Sequence, residues 1–431
     1  MKIAITCADL VFPNDIRIFS NGHHFNVLLW YHFFEKCGYD VVFISDRMET
    51  NTIRNNNHDY IFINYKKWFE DENLLVKENI NCLFNAGLTD NDLCNLVKKH
   101  NIKRIYSMMG NNYINDIDTV IYEANYNTSV IRDAFDEIWI SPHFAYSIEY
   151  YKIRYDLENI HVGPYIWSDD LIKNHKSLEY KPNKKMTVAI CEANISAKKN
   201  CMIPLCICEK GEKYIEFVRC YCTSIIRENQ FFKSFAGNLN LHKNKKIVFN
   251  NRDTIVDILN QCDCVISTTQ ECDLNYVFLE CFYYGIPLIH NSKMLEEYGY
   301  YYPDLDINKA VEQIEIVFKT HNTKLYIEKH KQVLHKYSMN NTYYQEWVKS
   351  RLVTCDKKTL ILERNTMKNQ DNEDDQMSIY NNNITIILPC TVNINTNKSF
   401  IYQTSPNDRL TTYIKSILQW LKSTNINIIV V

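Results

Sequence analysis

The feature that most constrains this chain is a regular alternation of strand-like and helix-like runs. The first series starts with KIAIT at residues 2–6, continues with an amphipathic run at 23–36 and reaches DVVFIS at 40–45, with Gly38 as a helix stop. A strand, a helix and a strand in this order predict a βαβ unit. Further strand-like runs are YIFIN (60–64), RIYSMMG (104–110), EIWIS (137–141) and IHVGPY (160–165). The series predicts one parallel sheet over about residues 1–165.

The same alternation then starts again and predicts a second parallel sheet. Its strand-like runs are MTVAICE (186–192), YIEFVRCY (214–221), KIVFN (246–250), CVIST (264–268) and IPLIHN (286–291). Helical runs separate them, so the predicted fold class is α/β, with two facing doubly wound domains. We expect an N-terminal Rossmann-like domain at residues 1–170 and a C-terminal one at 171–340.

The remaining sequence predicts a helix that crosses back to the first domain, a linker and an incomplete domain. The run TYYQEWVKSRL predicts a helix, and we expect residues 341–355 to cross back to the first domain. Residues 356–383 are polar and contain KNQDNEDDQM, which is typical of a flexible acidic linker. Residues 384–431 read as strand, helix and strand. We therefore expect the start of a further α/β domain that continues beyond residue 431.

Composition excludes several classes of protein. The formal charge is only -3, which disfavours binding to nucleic acid, and no apolar run reaches the roughly 18 residues of a membrane span. The N-terminus lacks the pattern of a signal peptide. The 16 cysteines include no CxxC pair, so we expect reduced, buried thiols. Together these features predict a soluble, cytoplasmic protein.

One carboxylate lies in an unusually apolar setting. Glu280 is the only charged residue between Tyr276 and Ile289 in the stretch LNYVFLECFYYGIPLIHNS. An unpaired buried carboxylate is costly, so it normally becomes neutral, finds a partner or binds a ligand. This residue is therefore the first candidate for a functional site.

The sequence around Glu280 resembles the signature of GT-B glycosyltransferases, which transfer sugars and contain two Rossmann-like domains. In LECFYYGIPLI a Glu, a short helix, a Gly and a Pro precede an apolar strand, as in that family. Residues 20–45 look like the family's first loop, helix and second strand, and CEANISAKKNCMIPL (191–205) lies where its donor domain carries a basic loop. The resemblance covers about residues 1–355. The chain is also similar to a poorly characterised GT-B-like group of unknown substrate.

The resemblance implies a nucleotide-sugar site. Glu280 would accept hydrogen bonds from the ribose hydroxyls of the donor. The helix that begins near Asn275 and Tyr276 would direct its free N–H groups at the diphosphate. Lys199 or Lys198 would neutralise that diphosphate, with Arg252 as an alternative. Gly22 would let the first-domain loop approach the sugar.

The chain departs from the family pattern at two positions. Many retaining members have a second Glu eight residues before the first, but Cys272 stands there and Glu271 is one residue further back. Contact of Glu271 with the sugar hydroxyls would require a shifted loop. The Arg that usually accompanies the loop lysine is absent from CEANISAKKN. Separately, Asn111, Asn112 and Tyr113 follow a predicted strand at the sheet edge where α/β proteins bind ligands, which makes them candidates for the sugar and acceptor cleft.

The sequence leads to one main functional hypothesis and two alternatives. The first is a glycosyltransferase that uses a nucleotide-sugar donor and a glycan, lipid or protein acceptor, without a cofactor or metal. Asp116 and Asp118 form a DxD in a helix-like segment, which does not suit metal binding. If the reaction inverts the anomeric carbon, His23 and His24 are candidate catalytic bases, with Asp9 as a third. The alternatives are a non-catalytic GT-B-like module attached to a downstream catalytic domain, and a nucleotide-sugar epimerase.

Overall fold

The computed structural model describes most of the first 352 residues and two short strands beyond them. The described residues are 1–7, 22–55, 58–86, 90–122, 133–170, 172, 180, 183–352, 385–388 and 427–430. Contacts divide the chain into two compact units, Met1–Val353 and Thr354–Val431. The first unit contains two large sheets, and both consist mainly of parallel strands.

The first sheet has eight strands in the order β3-β4-β2-β1-β5-β6-β7-β8. All its pairs are parallel except the edge pair of β3 and β4. The strands are β1 (Lys2–Thr6), β2 (Asp40–Ser45), β3 (Asn51–Asn55), β4 (His58–Asn64), β5 (Cys82–Ala86), β6 (Lys103–Met108), β7 (Glu137–Ile140) and β8 (Ile160–Val162). The associated helices are α1 (Gly22–Lys36), α2 (Lys66–Glu70), α3 (Glu72–Glu78), α4 (Asn91–Lys99), α5 (Asn112–Tyr122) and α6 (Ile148–Tyr155).

Both faces of this sheet are covered, because apolar residues occupy both sides of its strands. Ile3 and Ile5 of β1 belong to the core that contains α1, whereas Ala4 belongs to the core that contains α4. Helix α1 is apolar on almost every side, and its run from Phe25 to Tyr31 is buried. The same core continues into the second half of the unit, so α1 lies at the centre of the first unit.

The second sheet has six parallel strands in the order β11-β10-β9-β12-β13-β14. The strands are β9 (Met186–Ile190), β10 (Ile215–Cys220), β11 (Ile247–Phe249), β12 (Cys264–Ile266), β13 (Leu288–His290) and β14 (Tyr300–Tyr301). The helices are α7 (Met202–Lys210), α8 (Gln230–Asn238), α9 (Asn240–Lys243), α10 (Ile255–Asn260), α11 (Tyr276–Tyr284), α12 (Ile307–Thr320), α13 (Thr323–Tyr337) and α14 (Thr342–Leu352). The strand order reverses beside β9, and ligands of α/β proteins bind at the carboxyl ends of the strands at such a point.

The α/β class is confirmed, and the structure adds three strands that the sequence patterns did not predict. Strand β5 lies between β1 and β6 in the middle of the first sheet. Its sequence CLFNA is short and surrounded by asparagines, so it shows little periodicity. Strand β3 has the polar sequence NTIRN, and it pairs antiparallel to β4, where a wholly parallel sheet was expected. Strand β14 contains only two residues.

Helix α14 packs against the first sheet. The Trp347 ring lies 4.9 Å from the Trp139 ring of β7. The Lys103 Nζ donates a hydrogen bond of 2.6 Å to the Arg351 carbonyl oxygen. Val348 and Leu352 are buried in the core that also contains α1. The helix predicted over residues 342–352 therefore forms, while the predicted domain boundaries at residues 170 and 340 stay predictions.

The second unit is described only by β15 (Thr385–Leu388) and β16 (Asn427–Val430), which pair in parallel. The predicted linker at 356–383 and the predicted helix before β16 lie outside the described residues. The cysteines in the described part of the chain are free thiols, and most are buried. Of the helices that are described, none is long and apolar enough to cross a bilayer.

Candidate functional site

A cavity of about 250 Å³ opens at the carboxyl ends of β9, β10 and β11. Its walls combine the loops after these strands with α10, the first half of α11 and the first turn of α1. The lining residues are Gly22, Phe25, Cys191, Ala193, Ile195, Lys199, Tyr221, Cys222, Arg252, Asp253, Ile255, Ile258, Asn275, Tyr276, Val277 and Glu280. Of the residues predicted from the sequence, the cavity therefore brings together Gly22, Lys199, Arg252, Asn275, Tyr276 and Glu280.

Helix α11 and its N-cap position three polar groups of the cavity, Asn275, Tyr276 and Glu280. Asn275 is its N-cap, and the Asn275 side chain accepts a hydrogen bond from the Val277 N–H at 3.4 Å, which is long for such a bond. Gly285 ends the helix in the left-handed conformation at φ 73°. A Cβ atom at this position would lie 2.6 Å from Thr323 Cγ2, so the site demands glycine for space as well as for conformation. These two residues fix where α11 begins and ends.

Glu280 is the buried acid of the cavity. Only 3% of its surface is exposed, and within the described part of the chain no donor forms a hydrogen bond or ion pair with its carboxylate. Burial raises the pKa of the Glu280 carboxyl to about 8. The side chain is therefore largely protonated at neutral pH in the free protein, and it is available to a ligand.

Tyr276 connects α11 to the first sheet. Asn26 of α1 donates a hydrogen bond from Nδ2 to the Tyr276 hydroxyl oxygen. The Tyr276 ring stacks on the Tyr165 ring at 5.1 Å and meets the Phe25 ring edge-on at 5.2 Å. These contacts hold the first turn of α1 against the cavity, so residues from both sheets form its wall.

Two cations, Lys199 and Arg252, also line the cavity. The loop that carries Lys199 is fixed by Asn194, whose Nδ2 donates to the Tyr221 carbonyl and whose Oδ1 accepts from the Cys201 N–H. Lys199 also pairs through its backbone with Thr269 in the loop after β12. The sequence CEANISAKKN thus folds into a supported loop, and Lys199 is half-buried on it.

The predicted catalytic residues His23 and His24 lie beside the cavity but outside its lining. Gly22 and Phe25 are three residues apart on α1 and face the cavity, so the two histidines between them face other directions. Both are half-buried, and their rings lie 6.0 Å apart. Burial, with a smaller contribution from His24, lowers the pKa of His23 to about 4. His23 is therefore neutral at pH 7, as a base must be, but it is a weak one.

Of the predicted sugar and acceptor residues, Gly22 lines the cavity, whereas Asn111, Asn112 and Tyr113 are not among its lining residues. Asn111 donates from Nδ2 to the Glu271 carbonyl at 2.7 Å and to the Tyr146 hydroxyl at 2.8 Å. Asn112 donates to the Tyr106 hydroxyl at 2.8 Å, and it begins α5. The Tyr113 ring packs edge-on against Tyr150. The side-chain amides of Asn111 and Asn112 thus form hydrogen bonds within the protein.

Glu271 is exposed and adopts a left-handed backbone conformation at φ 51°. Its carbonyl is held by Asn111, and its carboxylate, after burial, contributes to the raised pKa of the Tyr146 hydroxyl. Lys198 adds to this contact region, because its Nζ donates to the Asn111 carbonyl and to the Asn115 side chain. In this structure Glu271 therefore joins the two halves of the unit and does not line the cavity.

Two further titratable residues near the site were missed by sequence reasoning. His143 follows β7, is 8% exposed, and has no hydrogen-bond partner for its Nδ1 in the described part of the chain. Burial and the nearby Lys199 ammonium lower the pKa of His143 to about 3. Glu192 follows β9 and accepts a hydrogen bond from the Ser267 hydroxyl, and burial raises its pKa to about 7. Each follows a parallel strand, and that position was the signal available in the sequence.

Several solved glycosyltransferases resemble this chain in structure. An α-glucosyltransferase solved with UDP and a 13-mer DNA containing an HMU base has 12% identity and a TM-score of 0.56, over 81% of this chain and 98% of that chain. A glycosyltransferase from Rickettsia africae has 11% identity and a TM-score of 0.49, over 81% and 98%. The T4 phage β-glucosyltransferase has 11% identity and a TM-score of 0.48, over 82% and 100%. At these identities the likeness concerns the fold alone.

Sequence comparison gives the family. No curated protein matches the chain. The sequence model of one family matches residues 10–352, which include the residues that line the cavity and the described strands of both sheets except β1. The chain therefore belongs to DUF2827, a family described as protein of unknown function.

Proposed function

We propose that this chain is a glycosyltransferase of GT-B architecture that takes a nucleotide sugar into the cavity at the carboxyl ends of β9, β10 and β11. The observation that carries the proposal is Glu280, a buried acid on the cavity wall for which the described residues supply no partner. The α/β fold shared with an α-glucosyltransferase supports it.

Glu280 binds the ribose of the nucleotide. A vicinal diol offers two O–H donors, and a carboxylate accepts both through charge-assisted bonds. Such bonds stabilise the ionised form, so donor binding lowers the raised pKa of Glu280 and releases a proton. A ligand without a diol leaves Glu280 protonated and gains less binding free energy from it. This requirement selects nucleotides over simple phosphates.

The diphosphate lies against Lys199, Arg252 and the N-terminus of α11. The first turn of a helix presents N–H groups and a partial positive charge. The long bond between Asn275 and the Val277 N–H is weak enough to be replaced by a phosphate oxygen. Developing negative charge on the leaving diphosphate is stabilised by these groups, so we infer that transfer requires no metal.

The acceptor approaches from the side of α1 and the first sheet. Gly22 is exposed at the cavity, so the backbone there is accessible to a sugar. His23 and His24 are the nearest bases of α1 if the reaction inverts the anomeric carbon. We assign residues 1–170 to the acceptor-side domain and residues 171–340 to the nucleotide-sugar domain. In this proposal residues 341–355 brace the first domain, and residues 356–383 form the linker to the further domain.

The test is to incubate the full chain with radiolabelled nucleotide sugars and to follow free nucleotide and labelled product. Acceptors offered include glycans, lipids, proteins and DNA, because the similar α-glucosyltransferase was solved with DNA. Nucleotide release that is lost in Glu280→Gln and retained in the exposed control Glu346→Gln supports the proposal. Binding without release identifies a non-catalytic module, and a changed sugar still on its nucleotide identifies an epimerase; either result overturns the proposal.

A further inference from the structure

A cluster of metal-ligating side chains lies on the first sheet, apart from the cavity. His32 and Glu35 are one turn apart on α1, and His58 begins β4 beneath them. One ligand atom from each of these residues lies within 4.8 Å of the other two. All three residues are half-buried. His32 is ten residues from Gly22, or about 15 Å along the helix at 1.5 Å per residue, so the cluster is separate from the cavity.

The distances inside the cluster fit a set of metal ligands. The His32 Nδ1 lies 3.4 Å from one Glu35 oxygen, and the His58 Nε2 lies 3.2 Å from the other. The His58 Nε2 is buried and makes no hydrogen bond of acceptable geometry with any described residue. Ligand atoms at the corners of a tetrahedron around zinc are about 3.3 Å apart when the bonds are 2.0–2.1 Å long. The two distances match this separation.

Tyr60 orients the first of the two imidazoles. Its hydroxyl lies 2.7 Å from the His32 Nε2, which leaves the His32 Nδ1 facing Glu35. Tyr60 and His58 are two residues apart on β4 and therefore point to the same face. A hydrogen bond to the second nitrogen of a ligating histidine is the usual support of a metal site.

We propose that His32, Glu35 and His58 bind one divalent transition-metal ion of the zinc type. Two imidazole nitrogens and one carboxylate suit zinc, whereas magnesium and calcium prefer oxygen ligands. Three protein ligands leave a fourth position for water. The ion would tie α1 to the edge of the first sheet, since His32 and Glu35 belong to the helix and His58 to β4.

The experiment titrates the metal-stripped, tag-free full chain with Zn²⁺ against a chromophoric chelator. We expect one equivalent of zinc to bind in the wild type. His58→Gln and Glu35→Gln should each weaken binding at least about tenfold, and Tyr60→Phe by about 10- to 100-fold, because it removes the supporting hydrogen bond. The control is His100→Gln. It removes a histidine whose Nε2 lies 3.0 Å from a carboxylate oxygen of Glu72.

A spectroscopic readout identifies the ligands independently of affinity. Bound Co²⁺ should give the strong visible absorption of a four-coordinate site in the wild type and in His100→Gln, and should lose it in His58→Gln. Circular dichroism shows that each variant is folded. The proposal is overturned if the wild type binds no zinc, or if zinc binds equally well to folded His58→Gln, which would assign the ion to the free thiols.

Discussion

At the scale of single residues, Glu280 shows how a buried acid can be found from sequence. Its charge stands alone in an apolar stretch, so its burial was predictable from neighbours in the chain. His143 was not predictable in this way. Burial is the main cause of its low pKa and Lys199 the smaller one, and both Lys199 and the Tyr165 ring that packs against it are distant in sequence. The direction of His23 and His24 was also missed, since the register of α1 against the cavity is set by Phe25 and Tyr276.

The proposed ribose contact predicts the effect of Glu280→Ala on nucleotide binding. A hydrogen bond to a charged group contributes about 1.5–3 kcal/mol, so the variant should bind nucleotide diphosphate at least about tenfold more weakly. Isothermal calorimetry measures this loss, with the exposed Glu346→Ala as control. Unchanged affinity in a folded Glu280→Ala protein would rule out the contact.

The raised pKa of Glu280 predicts a pH-dependent stability difference. The folded carboxyl holds its proton up to about pH 8, whereas the unfolded one loses it near its ordinary value of 4.5. Between these pH values the unfolded state binds fewer protons than the folded state. The free energy of unfolding therefore falls as pH rises. Glu280→Gln removes this effect. The melting temperature of Glu280→Gln minus that of the wild type should therefore be larger at pH 8 than at pH 5. An equal difference at both pH values would contradict the raised pKa of Glu280.

At the scale of elements, the strands with long apolar runs were predicted at their observed positions, and the short ones were not. Strands β1 and β2 agree with the predicted residues 2–6 and 40–45. Strand β5 was missed although it is central, because five residues between polar neighbours show no distinctive period. Its burial comes from pairing with β1 and β6, which is a property of the sheet.

The end of α11 predicts a difference between two glycines. Gly285→Ala places a Cβ in the left-handed region and within 2.6 Å of Thr323 Cγ2, so it should lower the free energy of unfolding by at least about 1–2 kcal/mol. Gly237→Ala is the control, since no atom lies within 4 Å of its Cβ and it is inside α8, where alanine is favoured. Urea denaturation measures both. Equal effects would show that the cap is not what defines α11.

At the scale of the whole molecule, the use of cations and a helix N-terminus predicts that transfer survives chelation. If Lys199, Arg252 and the N-terminus of α11, which line the cavity, neutralise the leaving diphosphate as proposed, nucleotide release should be unchanged after treatment with EDTA. The same treatment should remove zinc from the proposed site at His32, Glu35 and His58. Retained turnover would therefore also show that this site takes no part in the reaction. Turnover lost with EDTA and restored by manganese or magnesium would contradict the metal-free mechanism.

The last prediction concerns which part of the chain folds by itself. The compact unit ends at Val353, and α14 buries Val348 and Leu352 before that point. A chain ending at Lys358 should therefore keep the melting temperature of the first unit and its nucleotide affinity. A chain ending at Ser338 lacks α14 and leaves its contact surface exposed, which costs about 1.5–3 kcal/mol for each buried aliphatic side chain. That shorter chain should be insoluble or should melt several degrees lower.

Trp347→Ala separates loss of this packing from loss of chain length. The variant keeps α14 but removes the ring that lies 4.9 Å from Trp139, so the full chain should melt at a lower temperature. Tyr343→Ala is the matched control, because Tyr343 is an exposed aromatic residue on the same helix. If the chain ending at Ser338 is as stable as the one ending at Lys358, α14 does not brace the first sheet, and the proposed boundary near residue 355 is wrong.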